Sequence, residues 1–388
     1  MGMEATMPVE TSAFRYSPYV AEIQQRVRTF EPPPADFDPL TATNSQLAQY
    51  GLPARPNPRT EPEFFQFWGL MLGSPLHVEI PEFPEKVPGT DDPPEDFLLH
   101  QLYQLGAGQR RDIRTRHSEN SRNWSGAYIT PHRPNRFVHI AGGWQVPEPS
   151  LPAVVPEDVQ DEYRSSTWIG IGGQRAYPGS SLPQIGTSQF LTIGSSEPTI
   201  GVFWEWWVKG SVHPYPPVPI LNFTKSAKRK IKADDEILAS LTVQDGWNVL
   251  FHIKNQTTGL FVTFLVSPPS DPIVALGSTA EWIMERPTYF KKRDLYPLPR
   301  YTDIMFRYCL ARSAPPSGGA VTNHKLDNAR LIRMYEMFAA PHRLAFVSQA
   351  EKTSDAALRV FYREPGAQHS FAASRQTMLQ SHESSLSD

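Results

Sequence analysis

Glu281 stands in "STAEWIMERP", against Trp282, Ile283 and Met284. Burying an unpaired charge is costly, so a carboxylate among large apolar residues either alternates out to solvent or is kept for a task. The rest of the chain has to decide which. A second carboxylate, Glu205, lies in "GVFWEWWVKG", where strand alternation puts Phe203, Glu205 and Trp207 on one face and Trp204, Trp206 and Val208 on the other. Two aromatic faces on one strand are not ordinary core and ordinary surface. One set is expected to pack inside, and the set holding Glu205 to line a groove where rings and a carboxylate meet an extended ligand. A wide aromatic core with Glu205 at its rim is the competing reading.

Other chemistry finds weaker support. Glu281 and Glu285 share a face at i and i+4, as two glycosidase carboxylates on a sandwich would. Retaining hydrolysis needs carboxyl groups about 5 to 5.5 Å apart, whereas four strand residues separate Cα atoms by about 13 Å, and Ile283 fills the position between. "GIGG" at Gly170 to Gly173 is followed by no helix pattern, so it fails as a dinucleotide loop. The 11 histidines make no HExxH and no HxH, and the single Cys309 in "FRYCLA" reads as a buried structural thiol, so neither a metal nor a cofactor is expected. Neither "IGSSE" nor "LGSTA" is a GxSxG elbow. "TKSAKRKIKADDE" reads as a solvated basic loop rather than an anion site. Asn123, Asn222 and Asn255 open glycosylation triplets, which matter only in a secretory pathway.

The elements that must position these residues begin near Asn123, where short β-branched and aromatic runs alternate with Gly, Pro and Asn punctuation. Twelve such runs, from "RFVHIAGGWQVP" to "ALRVFYRE", predict an all-β antiparallel sandwich or barrel. Eight of the nine tryptophans fall between Trp124 and Trp282. The first 120 residues differ: they hold 16 of the 39 prolines, and Glu31 to Leu99 carries twelve Asp/Glu against three Lys/Arg. Helical spacing of Val20, Ile23, Val27 and Phe30, and of Leu98, Leu102 and Leu105, predicts two short helices there. "GQRRDIRTRHSENSR" reads as an exposed linker open to a processing protease, and residues 365–388 as a disordered tail. A net charge of -3 suggests no nucleic-acid partner, and no apolar run is long enough to span a membrane. "MGMEATMPVETSAFRYSP" lacks the basic and apolar regions of a secretory leader.

Five stretches taken together, "NWSGA", "IAGGWQVP", "STWIGIGG", "LPQIGTSQ" with "FWEWW", and "TAEWIMERP", resemble the glutamic peptidase family, the eqolisins, in the family's order. The resemblance spans about residues 121–364 and implies a lectin-like (concanavalin-like) sandwich of two antiparallel sheets with an N-terminal Pro-rich, partly helical extension outside it. It also implies an endopeptidase with a catalytic pair carried over as Gln184 in "PQIG" and Glu281 in "AEWI". The glutamate would be base and then acid, and the glutamine amide a hydrogen-bond donor that needs no protonation to serve in acid. Trp124, Trp168, Phe203, Glu205 and Trp207 would line a groove for a polypeptide substrate.

Three positions depart from the family pattern. Ser188, Gly172 and Gly201 stand where carboxylates are usual, and fewer like charges near the site lead us to expect a broader or less acidic pH optimum. Residues 1–120 are expected to form an extension that could act as a prosegment, an acidic strip over the groove until the arginine-rich linker is cut. The competing reading is an appendage docked through "FFQFWGLML". The resemblance implies secretion while the N-terminus shows no leader, so localisation stays open between secretion, the cytoplasm and another export route. A non-catalytic lectin-like module binding peptide or glycan is the alternative function, with a glycosidase behind it.

Overall fold

Runs that are apolar on every second residue decide where the sheets lie, and the computed structural model of the protein describes them over residues 25–84, 118–153, 162–173, 181–195, 197–208, 217–244, 247–269, 274–289, 294–337 and 344–364. The first of these holds strand β1 (Val27–Thr29), helices α1 (Asn44–Gln49) and α2 (Pro62–Leu72), and β2 (His77–Glu79). Next come β3 (Ser118–Ser121), β4 (Trp124–Ile129), β5 (Arg136–Gln145), β6 (Pro149–Ser150), β7 (Glu162–Ile171), β8 (Ser181–Thr192) and β9 (Thr199–Val208). β10 (Val218–Pro219), β11 (Glu236–Val243), β12 (Val249–Asn255), β13 (Leu260–Val266) and β14 (Ala280–Glu285) follow. The chain closes with β15 (Thr288–Tyr289), β16 (Asp294–Leu295), β17 (Arg300–Tyr301), β18 (Ile304–Ala314), β19 (Thr322–His324), β20 (Arg330–Met337), β21 (Leu344–Ser354) and β22 (Ala357–Tyr362).

Pairing sorts these strands into the two layers of a sandwich. The front layer runs β10, β9, β8, β7, β14, β4, β20, β21, β22 with antiparallel neighbours throughout, and β3 joins β20 in parallel. The back layer runs β13, β12, β11, β5, β18, β19. β18 belongs to both: Ile304–Phe306 pairs with β22 in front and the remainder with β5 behind. A register shift between Arg307 and Leu310, with Tyr308 at φ 53°, makes the bend, as at other sandwich corners where a strand changes sheets.

Between the layers lies a continuous apolar core. Trp204 of β9 meets Phe251 and Phe264 of the back layer at ring distances of 5.8 and 5.7 Å, and those two rings stack on each other at 5.2 Å. Two indoles cross between layers with their polar edges satisfied: Trp282 donates to Ala141 O at 3.0 Å, and Trp144 to Thr187 Oγ1 at 3.2 Å. Cys309 is free and buried.

The N-terminal segment differs from its expected form. Val27 is not helical, because Val27–Thr29 pairs with Val266–Phe264 on the open edge of β13; Val20 and Ile23 lie outside the described residues. β2 continues the same edge in parallel. The helix expected over Leu98 to Leu105 and the tail at 365–388 also lie outside the described residues. Ser118–Ser121, read as the end of a linker, is a strand because β20 offers it a parallel ladder. The basic run after Asn222 is not merely solvated: Lys225 pairs with Glu82 and Arg229 with Glu79.

Candidate active site

The front layer is apolar on both faces. Along β7, Ile169 and Ile171 point into the core while Trp168 points out; along β14, Ala280, Trp282 and Met284 point in while Ile283 points out. The outward residues form their own cluster of Tyr128, Trp168, Leu182, Phe203, Ile283 and Ile332, flanked by Trp124 and Trp207. Trp204, Trp206 and Val208 face the core, so β9 divides its aromatics as alternation predicted.

Register puts the polar groups in one line across this outer face. Tyr128 of β4 is opposite Glu281 of β14, Glu281 is opposite Gly170 of β7, Gly170 is opposite Gln184 of β8, and Gln184 is opposite Glu205 of β9. Residues directly opposite in antiparallel strands share a face, so four side chains project together and the fifth position has none. The bare position, Gly170, lies between the carboxyl and the amide. A Cβ there would meet Leu182 Cδ1 at 2.7 Å, Trp168 Cζ3 at 3.1 Å and the Pro183 carbonyl at 3.2 Å. Pro183 sits one residue past the last β7–β8 pair, Gly170 with Gln184, so its missing N–H costs β8 no bond in that ladder.

Each polar side chain in the row is held. Glu281 is fully buried, and its Oε1 accepts from Thr279 Oγ1 at 2.6 Å. Gln184 is 4% exposed and donates Nε2–H to Glu205 Oε2 at 2.6 Å, while no described protein group hydrogen-bonds its Oε1. Burial holds the half-buried Glu205 carboxyl well above the ordinary range, the charge of Glu285 pushes it further, and the bond from Gln184 offsets part of this. Tyr128 donates to Glu119; burial first, and then that bond, raise its phenol far above the usual value. Two outward positions further along β14, Glu285 accepts from Trp168 Nε1 at 2.8 Å and Asn123 Nδ2 at 3.2 Å. Trp124 packs edge-on against Trp168 at 5.2 Å, which fixes the central indole from two sides.

All seven residues singled out in the sequence, Gln184, Glu281, Trp124, Trp168, Phe203, Glu205 and Trp207, therefore lie on the outer face of one sheet. Glu285 is engaged by an indole and an amide, with one intervening outward residue, Ile283, between it and Glu281. Sequence reasoning missed Tyr128, Thr279, Asn123 and the role of Gly170. Period-two counting finds the first two: Tyr128 lies four residues from Trp124 and Thr279 two from Glu281. Ser188 and Gly201, which stand opposite each other in β8 and β9, lie on this face too. Among the described residues no three His, Cys, Asp or Glu side chains gather as metal ligands would, and no helix is long and apolar enough to cross a membrane.

Solved structures similar to this chain include three peptidases. Scytalido-glutamic peptidase with a peptide-based transition state analog is 17% identical, covering 62% of this chain and 98% of its own, with a TM-score of 0.44. SCP-B, a member of the eqolisin family in complex with the tripeptide Ala-Ile-His, is 16% identical over 62% and 98% of the two chains, with a TM-score of 0.41. Aspergilloglutamic peptidase from Aspergillus niger is 16% identical over 52% and 99%, with a TM-score of 0.37. No curated protein sequence matches the chain. The model of the Peptidase A4 family matches residues 122–339. That span is more than half of the chain and contains the whole cross-strand row, and the chain belongs to this peptidase family, the eqolisins.

Proposed function

We propose that this peptidase-family chain is an endopeptidase in which Glu281 activates water against a peptide carbonyl and Gln184 receives the charge that develops on the carbonyl oxygen. The observation that carries the reading is the shared row, with carboxyl and amide on either side of a residue that has no side chain. Two strand spacings, about 10 Å between backbones, separate the carboxyl from the amide, so a carbonyl and a water placed between them meet both. As the water oxygen bonds the carbonyl carbon, its proton passes to Glu281 and the carbonyl electron pair moves onto oxygen. One Nε2–H of Gln184 donates to that oxygen, while the other is held by Glu205, which fixes the amide plane. Gln184 Oε1 can accept the second O–H of the attacking water. The C–N bond then breaks as Glu281 hands its proton to the leaving amine, giving a carboxylic acid and an amine. Thr279 orients the carboxyl throughout. An extended polypeptide lies against Trp124, Trp168, Phe203 and Trp207, whose stiff rings offer area at small entropic cost.

Removing an oxyanion donor costs about 100-fold to 1,000-fold in turnover, and removing a positioned base about 100-fold to 10,000-fold. Gln184→Ala and Glu281→Ala are each expected to lose at least about 100-fold of turnover on denatured protein, with products read by mass spectrometry from about pH 2 to 8. More than a tenth of wild-type turnover in either folded variant overturns these roles. A wild-type chain that binds peptide and yields no product anywhere in that range is a binding module instead.

A further inference from the structure

Before the family-matched region, the described residues 25–84 pack on the side of the sandwich away from the proposed site. Leu47, Leu52, Phe64, Phe67, Met71 and Leu72 pack against Ala141, Leu238, Phe261 and Leu310 on the outer face of the back layer, the side of the sandwich away from Gln184 and Glu281. Polar residues of that face are built to receive it. Lys254, fully buried, donates to Leu70 O at 3.0 Å and Gly73 O at 2.7 Å, capping the open carbonyls at the end of α2. Gly51 O lies 2.9 Å from His252 Nε2 and accepts from Thr263 Oγ1 at 2.7 Å, and the other nitrogen of His252 meets Ser240. Gly51 turns at φ 64° with the Phe30 ring where a Cβ would stand, so a glycine is required there. Without this segment the Lys254 amine would lose both these carbonyls, the His252 imidazole would keep Ser240 but lose Gly51 O, and an apolar face would open to water.

The rim is joined by charge. Arg312 pairs with Glu61 at 2.8 Å and Lys325 with Glu63 at 2.5 Å, while Lys225 and Arg229 hold Glu82 and Glu79. Asn222 accepts from Glu82 N at 2.7 Å and donates to Glu79 and to Ile80 O. Phe83 then enters the main core, edge-on to Phe264 at 5.4 Å and to Trp204 at 6.2 Å.

We propose that residues 27–84 are a permanent third layer of the working protein, whose binding partner is the outer face of its own back sheet, and not a prosegment that leaves the site on maturation. Acidic residues rim an apolar patch on the segment, and basic residues rim the matching patch on the sheet, so the surfaces complement each other in both chemistries. These ion pairs engage Glu61, Glu63, Glu79 and Glu82 of the segment, and Lys225 and Arg229 of the basic run after Asn222.

The test uses the full chain with a site-specific protease sequence inserted between Gly108 and Gln109. After cutting, the two pieces are expected to co-elute in size exclusion at neutral pH in moderate salt. Separation of the N-terminal piece from a remainder that keeps its far-UV spectrum and melting transition overturns the proposal. A cut protein that aggregates is decided by hydrogen exchange on the uncut chain: amides of α2 should be protected within about tenfold of those in β12, and exchange more than 100-fold faster in α2 overturns it. Neither readout needs catalysis, so the outcome is independent of whether Glu281 and Gln184 cleave peptides.

Discussion

Gly170→Ala is the substitution that most directly perturbs the space between Glu281 and Gln184, because it adds one methyl at the bare position of the row. The new Cβ meets Leu182 Cδ1 at 2.7 Å, the far end of a side chain able to turn, while Trp168 Cζ3 at 3.1 Å and Pro183 O at 3.2 Å need give only slightly. Overpacking of this kind costs about 1–3 kcal/mol, and each kcal/mol lowers the melting temperature by about 2–4 °C in a domain of 150–250 residues. A folded variant melting about 2–12 °C lower is therefore expected. The methyl pushes Leu182 and Trp168 toward the space where the proposed mechanism puts water and carbonyl, and a displacement of about 1 Å from reacting geometry can cost 100-fold. Turnover should fall by about that factor with KM changed far less, since Trp168 need give only slightly and the Cβ meets none of Trp124, Phe203 and Trp207. Gly201→Ala on the same face is the control: its Cβ would meet only Ser188 Oγ at 3.3 Å, so both melting and turnover should stay near wild type. The assay is hydrolysis of a quenched fluorescent peptide alongside a thermal melt. A Gly170→Ala protein that folds and keeps kcat within threefold of wild type would falsify the placement of the reaction above this residue.

Three further outcomes test the electrostatics. Burial raises the Glu205 carboxyl above its ordinary 4.5, so between that value and its folded pKa the native state binds more protons than the unfolded chain and stability falls as pH rises; Glu205→Gln should flatten that slope in thermal melts, and an unchanged slope rules out Glu205 as its source. Burial lowers Lys254 from 10.5 to about 8, so the folded chain sheds a proton the unfolded chain keeps and stability should rise between those values; in Lys254→Met that rise should vanish and, at neutral pH, the loss of two carbonyl caps should lower the melting temperature. The Lys325 hydrogen bond depresses Glu63, whose contribution is present above its unfolded value of 4.5 and lost as pH falls through the folded one. The pair is largely exposed and worth at most about 1 kcal/mol, so Lys325→Met should melt a few degrees lower near pH 6 and match wild type near pH 2; equal losses at both would assign the effect to packing.

How much of this was legible in the chain depends on whether a signal is local. All twelve runs read as strands fall within the two sheets, because alternation of the "FWEWW" or "AEWIME" type is written in consecutive residues and tertiary contacts only reinforce it. β8 was harder: Pro183 argues against a central strand until the ladder with β7 is seen to end beside it. The spacing of Val27 and Phe30 mimics a helix, but three residues on an unpaired sheet edge gain more from the ladder offered by β13 than from one costly helical turn. Nor can an acidic, proline-rich stretch announce its partner, since Glu79 and Glu82 make sense only with Arg229 and Lys225 across the fold. The site shows the same division. Glu281 stands out among Trp282, Ile283 and Met284, whereas Gln184 is an unremarked polar residue singled out by family resemblance alone. Gly170 carries no side chain to notice, and its place depends on two registers at once, Glu281 with Gly170 and Gly170 with Gln184. A slip of one residue in either ladder would turn one of the two polar side chains into the core. The inward residues Trp282 and Ile185, one position along from Glu281 and Gln184, prevent that slip, so the packing that hides the site from sequence reading is also what aligns it.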